Sequence, residues 1–287
     1  MRLAGPLAAM LGVATVASAQ APPVIGAAAV ADVASVAPGA VFRIAVRLEI
    51  PPGYHIGWTN PGQSGLPTTL VWRTPEGLAA GDTEWPYPER DVTAGFVSQV
   101  YHGEIVSVTP FRAAPRLRGA AVVLRGVVRF GLCGATCIPR EDTIEVSLPV
   151  RSGAPETAAD WRAMTADLDR LPAAPPALVV RAVASGGGVR LRIAGPHLAA
   201  HGTDSATFFP WPHGVAVVVA VRRVAGAIEL TLPGGAPSHP ARVQGVLVAA
   251  RPWFAGSPRH ALAVDAAVHE RGHLDAILRP RTSYRRI

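Results

Sequence analysis

From Val41 to Ile50 the chain reads VFRIAVRLEI, and its polarity alternates residue by residue. Phe42, Ile44, Val46, Leu48 and Ile50 fall on one face, with Arg43, Arg47 and Glu49 on the other. A period of two predicts a strand with one side on a core and one in water. VVLRGVVRF (122–130) repeats the pattern with Arg125 and Arg129 outward, and TIEVSLPV (143–150) repeats it again. TLVWR (69–73) and EIVSVTPF (104–111) lie between them, punctuated by Pro and Gly turns. The set predicts an antiparallel β-sandwich over 25–150.

The alternation lapses over 151–176. Pro155 suits the first turn of a helix, and Trp161, Met164 and Leu168 then share one face before LPAAPP stops it. This segment is expected to be a linker with one short helix. Strands resume with ALVVRAV, VRLRIA, VAVVVAVR, AIELTL, VQGVLVA and HALAVDA. They predict a second β-sandwich over 177–268, followed by a polar, basic tail over 269–287. The two halves share no repeated motif.

Composition sharpens this picture in three places. Hydrophobic residues make up 49% and charged residues 16% of 287 positions, the balance of a folded chain with a sizeable core. The formal charge is +7 and every basic side chain is Arg, spread without interleaved aromatics, which argues against a nucleic-acid partner. The one basic cluster is the terminal RPRTSYRRI, read as a solvated tail that has the chemistry to touch anionic lipid or a partner. At the other end, Arg2, the apolar LAAMLGVATV and Ala17-Ser18-Ala19 have the layout of an export signal over residues 1–19. Cleavage is expected after Ala19, giving a soluble, exported chain in a compartment where disulfides persist. No later apolar run has the length of a transmembrane helix; VAVVVAV (215–221) is strand-length.

Chemistry concentrates in GLCGATCIPR (131–140), which holds both cysteines, Cys133 and Cys137. As a staple, a ring this short contributes only ~2 kcal/mol in the chain-entropy model. Small residues between the cysteines permit a tight turn, and a tight loop bridge suits exchange chemistry. As a metal site, two cysteines fall short of tetrahedral zinc, but soft thiolates suit Cu(I), with His55 or His102 as a further ligand. The residues alone leave redox pair, structural bridge and metal site open. A rival motif, His269-Glu270-Arg271-Gly272-His273, fits the H-E-x-x-H zinc-protease pattern. Gly272 weakens the helix it needs, and no third His, Cys or Glu ligand follows, so a polar tail is the preferred reading.

Four blocks in order carry a family resemblance: PGYHIGWTNPGQSGLPTTLVW (52–72), EWPYPER (84–90), VYHGEI (100–105) and LCGATCIPRE (132–141). Together they resemble the N-terminal domain family of the thiol:disulfide interchange protein DsbD, in its copper-sensitivity suppressor-like branch. FFPWPHG (208–214) and the strands after it resemble the region that follows in that branch. The resemblance implies immunoglobulin-like antiparallel β-sandwiches in the bacterial periplasm. It also implies a cysteine pair that passes reducing equivalents to or from partner proteins, in cytochrome c maturation or copper tolerance. It assigns the mixed disulfide to Cys137, the resolving thiol to Cys133, an active-site side chain to His55, and an aromatic cap loop to TAGFVS (93–98) with Phe96 as its shielding ring.

The best-known members have a longer insert between the cysteines and continue into a membrane conduit and a thioredoxin-like domain. The expected partners are therefore periplasmic thiol–disulfide proteins and a separate membrane or thioredoxin-like reductant, with no cofactor. The alternative is a non-catalytic binding module for a partner protein or Cu(I), with a structural disulfide. Trp58, Trp72 and Trp85 are read as core or turn packing.

Overall fold

A computed structural model describes residues 25–270, apart from 167, 174–176, 187, 197, 199–204, 225 and 234–239. The proposed signal segment and His273 lie outside the described residues.

The alternating stretches become strands of two facing sheets. The first contains β1 (Gly26–Ala31), β2 (Val41–Glu49), β5 (Leu78–Ala80) and β8 (Glu104–Ala113), ordered β1-β2-β8-β5. The second contains β3 (His55–Gly62), β6 (Glu89–Thr93), β7 (Phe96–Tyr101), β9 (Ala121–Cys133) and β10 (Cys137–Pro149), ordered β10-β9-β3-β7-β6. β4 (Thr69–Arg73) also pairs with β9. The period-two faces meet between the sheets: Phe42, Ile44, Val46 and Leu48 share one core with Leu124, Val128, Phe130 and Leu132. Phe111 stacks on Phe42 at 5.4 Å between centroids and takes the edge of Trp72 at 5.3 Å. The outward arginines are solvated and paired, Arg125 with Glu145 and Arg129 with Glu141.

Ala45 lies on the polar side of β2 yet is fully buried. The linker explains it. Helix α1 (Trp161–Met164) and a 3-10 turn (Leu168–Arg170) lie across the outside of the first sheet. Trp161, Met164 and Leu171 close over Ala45, Val106 and Val108. The helix starts at Trp161, well after Pro155, so Pro155 does not open it.

The second half contributes β11 (Val179–Ser185), β12 (Gly188–Ala194), β13 (Ser205–Pro210), β14 (Val217–Val224), β15 (Ala227–Pro233), β16 (Arg242–Ala249) and β17 (Ala261–His269). All but β13 follow runs that the polarity pattern marks. Their pairings go further than an open sandwich and close into a ring, β11-β12-β15-β14-β13-β16-β17. Two strands turn the corners between sheets. β14 pairs with β13 through Ala220 and with β15 from Val221. β17 pairs antiparallel with β16 and, at Val268 and His269, parallel with β11. His269 therefore belongs to a strand, which removes the helix that the zinc-protease pattern requires.

The two halves share a core. Phe209, Ala216, Val246 and Ala261 of the ring belong to the same apolar cluster as Trp58 of β3. The Trp58 and Phe209 rings meet edge to face at 6.3 Å. Two residues along β3, the buried Asn60 donates from Nδ2 to the carbonyls of Pro210 (2.7 Å) and Gly214 (3.0 Å). Asn60→Ala should leave both carbonyls without that donor in a part-buried contact, at about 1–3 kcal/mol. A lower denaturation midpoint with unchanged secondary structure is expected; a midpoint equal to the parent's would show that water replaces the amide.

Candidate functional site

β9 and β10 form a long hairpin whose register runs from Ala121↔Pro149 to Cys133↔Cys137. The cysteines are the last pair, so cross-strand pairing brings their side chains together. Gly134, Ala135 and Thr136 make the turn, held by Gly134 N–H donating to the Thr136 carbonyl at 3.0 Å. The sulfurs are joined as a disulfide, with the α-carbons 3.9 Å apart. Its two halves differ in access. Cys133 is 1% exposed, while Cys137 lies on the surface.

The row continues across the sheet. His55 is the register partner of Cys133 on the far side of β9, so the two share a face. The ring of His102 lies 5.6 Å from that of His55, and Glu89 approaches His102 Nδ1 at 3.3 Å. Cys137, Cys133, His55 and His102 thus stand side by side across neighbouring strands. His55 is half-buried and sits on a strand, not in the exposed turn that its neighbours Pro52 and Gly53 suggest. Burial and the adjacent His102 hold its pKa below the ordinary histidine value, and Asp91 partly opposes them. At neutral pH His55 is therefore an uncharged imidazole able to take a proton.

Two glycines shape the next row. A β-carbon on Gly57 would collide with the carbonyl of Leu66, and one on Gly131 would meet the Leu66 side chain at 3.1 Å. Their bare backbones let the 61–67 loop lie flat on the sheet. Thr68 anchors it by donating from Oγ1 to the Gly57 carbonyl at 2.5 Å. Beside this loop a groove of 440 Å³ runs between Leu66, Pro67 and Pro139 to the Arg129–Glu141 pair. The Tyr54 ring covers the turn itself, 2.9 Å from where a β-carbon on Gly134 would stand. Tyr54 and Leu66 were not singled out from sequence. Their one signal was membership of the block that contains His55.

Phe96 follows a two-residue hairpin, Ala94 and Gly95, with φ of 50° and 84°. Its ring is 54% exposed, so it is not core. It precedes His102 by six residues, roughly 20 Å of extended strand. Trp58 is buried, Trp72 is half-buried and donates to Thr109 Oγ1 at 3.0 Å, and Trp85 packs against the core.

The disulfide form presents a surface sulfur backed by a buried one, with a neutral base beside the buried one. Thiol–disulfide exchange needs such an accessible sulfur and a resolving partner. Comparisons with known proteins agree with this chemistry. Over residues 24–149 the chain matches the family model described as thiol:disulfide interchange protein DsbD, N-terminal. The N-terminal periplasmic domain of ScsB from Proteus mirabilis is similar in fold, with a TM-score of 0.54 at 16% identity, covering 84% of this chain and 91% of that one. The reduced Neisseria meningitidis DsbD N-terminal domain aligns with 45% of this chain and 90% of its own, at 16% identity and a TM-score of 0.24. No curated relative matches the chain. No helix among the described residues is long and apolar enough to cross a membrane. The sandwich that carries Cys133 and Cys137 thus matches the DsbD N-terminal domain family over residues 24–149, under half of the chain.

Proposed function

We propose that this chain is a periplasmic thiol–disulfide exchange protein that works through Cys137 and Cys133, exported by a leader cleaved after Ala19. The asymmetry of the pair, one sulfur on the surface and one buried, carries the reading. In the reduced protein the Cys137 thiolate attacks a partner's disulfide and releases one partner thiolate, leaving a mixed disulfide. Cys133, deprotonated, then attacks Cys137 Sγ and expels the second partner thiolate. Two electrons leave the chain, the Cys133–Cys137 bond forms, and the partner is reduced. The same steps in reverse accept electrons from a separate membrane or thioredoxin-like reductant. Partners in cytochrome c maturation or copper tolerance fit this role.

The second step sets the demand on His55. A charge on a buried sulfur is disfavoured, so Cys133 needs a nearby group to receive its proton. His55 is its register neighbour and is neutral near pH 7. Glu89 and His102 sit behind it on the way to water.

Replacing the buried thiol should stall the cycle at the mixed disulfide. Cys133→Ala is expected to capture partners on Cys137, separable by non-reducing electrophoresis and named by mass spectrometry. Capture on Cys133 in Cys137→Ala, with none on Cys137 in Cys133→Ala, would invert the roles. A reduction potential well below about −300 mV would instead mark a structural bridge.

His55→Gln should prolong the mixed disulfide at pH 7. An ordinary thiol, with a pKa of ~8.5, is only about 3% ionised there and burial lowers that fraction, so the slowing should be on the order of tenfold or more. The same residue ties stability to pH. Because its folded pKa is lowered, the folded state binds fewer protons than the unfolded state once pH falls below the unfolded value of 6.5. Stability should be unaffected by His55 above that value and decline as pH falls through 6.5 towards the depressed folded pKa. His55→Gln should flatten the decline, as read from denaturation midpoints across the range.

A second reading rests on the same row. Reduction frees two thiols, soft donors suited to Cu(I), although no cluster of three or more metal-ligating side chains is present among the described residues. The reduced chain should then hold one Cu(I) against a chromogenic chelator, and oxidation should release it. Equal retention by a Cys133→Ser/Cys137→Ser variant would exclude the site.

A further inference from the structure

The ring carries a second chemical feature, far from the thiols in its logic. Register places Arg181 of β11 opposite Arg192 of β12, Arg192 opposite Glu229 of β15, and Glu229 opposite Arg222 of β14. These four side chains form one row across four strands, roughly 14 Å wide at ~4.8 Å per strand. Arg190 stands two residues from Arg192 on the same face, and a groove of 340 Å³ runs between it, Arg222, Glu229 and Thr231.

Four guanidiniums thus share one carboxylate. Glu229 bridges Arg192 and Arg222, both at 2.7 Å, and the two together hold its pKa below the usual range. Arg181 and Arg190 have no carboxylate partner among the described residues. The next acid along, Asp265 of β17, is held by Arg242. In the first sandwich Arg43, Arg125 and Arg129 each have their own carboxylate, and Arg73 stands opposite Arg125. Like charges directly opposed across strands destabilise a sheet unless an outside anion offsets them. Exposed valines flank the row on this face, Val179 at 51% and Val218 at 64%.

The chain's path supplies the last element. β17 ends at His269 beside Val183 of β11, at the edge of this same sheet. The sequence that follows contains Arg271, Arg279, Arg281, Arg285 and Arg286 against Glu270 and Asp275.

We propose that the outer face of β11, β12, β15 and β14 is a docking surface for an anionic phospholipid bilayer. Phosphates would neutralise the Arg181–Arg192 row and Arg190, with Val179 and Val218 meeting the interfacial layer. A charged row of this width on the outside of the ring, with exposed valines on its first and last strands and a basic sequence continuing from β17, fits an extended anionic surface better than one small anion. The inference is independent of the exchange chemistry.

The test is sedimentation of the full chain with phosphatidylcholine vesicles made with and without phosphatidylglycerol. Binding should require phosphatidylglycerol and vanish at high salt. Arg181→Gln and Arg190→Gln break no ion pair, so the fold should survive, confirmed by an unchanged melting transition. Each should weaken binding about fivefold, the effect of one basic residue at an anionic surface. Glu229→Gln should strengthen it. Equal binding by the Arg181→Gln/Arg190→Gln double variant and the parent would overturn the proposal. So would release from vesicles by millimolar inorganic phosphate, which would indicate a small-anion site. Tighter capture by polyglutamate than by vesicles would also overturn it and point to an acidic protein partner.

Discussion

The site depends on one constraint, the register of the β9–β10 hairpin. Thirteen consecutive pairs run without a break from Ala121↔Pro149 to Cys133↔Cys137. A slip of one residue would turn every side chain of a strand to the opposite face. The long apolar and charged faces of β9 forbid such a slip, because Leu124, Val128, Phe130 and Leu132 must stay in the core while Arg125 and Arg129 stay in water. The cysteines inherit their meeting from this packing. They lie at the sheet's end, where the hairpin turns, so one sulfur is tucked against β3 and the other is left at the surface.

β3 transmits the influence of the second half of the chain to that place. Along eight residues it carries His55 beside the disulfide, Gly57 under the Leu66 loop, Trp58 in the shared core and Asn60 bonded to the ring. Its pairing with β9 is short, two register pairs, and its pairing with β7 is interrupted by a bulge. A strand with so few ladder bonds needs side-chain packing to hold its position, and Phe209 with the Pro210 and Gly214 carbonyls supplies it. The ring thus buttresses the strand that carries His55.

The two arginine arrangements show how one residue type takes on two roles. On β9 each outward arginine has a cross-strand glutamate on β10, and Arg73 of β4 adds a further guanidinium opposite Arg125. On β11, β12 and β14 the arginines outnumber the only carboxylate in their row, and the face keeps a net positive field. Composition already separates the halves: residues 25–150 hold ten arginines against eleven acids, and residues 177–268 hold eight against three. Register then decides which arginines of the second half stand opposite one another.

Much of the fold was legible in the sequence. Period-two alternation in 41–50, 122–130 and 143–150 marked three sandwich strands with the correct inward faces, because burying one face of a strand imposes that pattern on local sequence. The linker's Trp161 and Met164 were likewise visible as one apolar face. The short and Gly-rich strands were not. β3 reads HIGWTNPG, and without alternation nothing local distinguishes it from a turn. The ring's closure was equally hidden, since β14 and β17 change partners midway and partner choice leaves no period in the chain. For the site, the sequence supplied the cysteines and, by resemblance, His55. Only the tertiary structure decided that Cys133 is buried and Cys137 exposed, that His55 and His102 extend their row, and that Tyr54 and Leu66 border it. These are facts about which strands lie next to each other, fixed by contacts between residues far apart in sequence, and such contacts are where the sequence is silent.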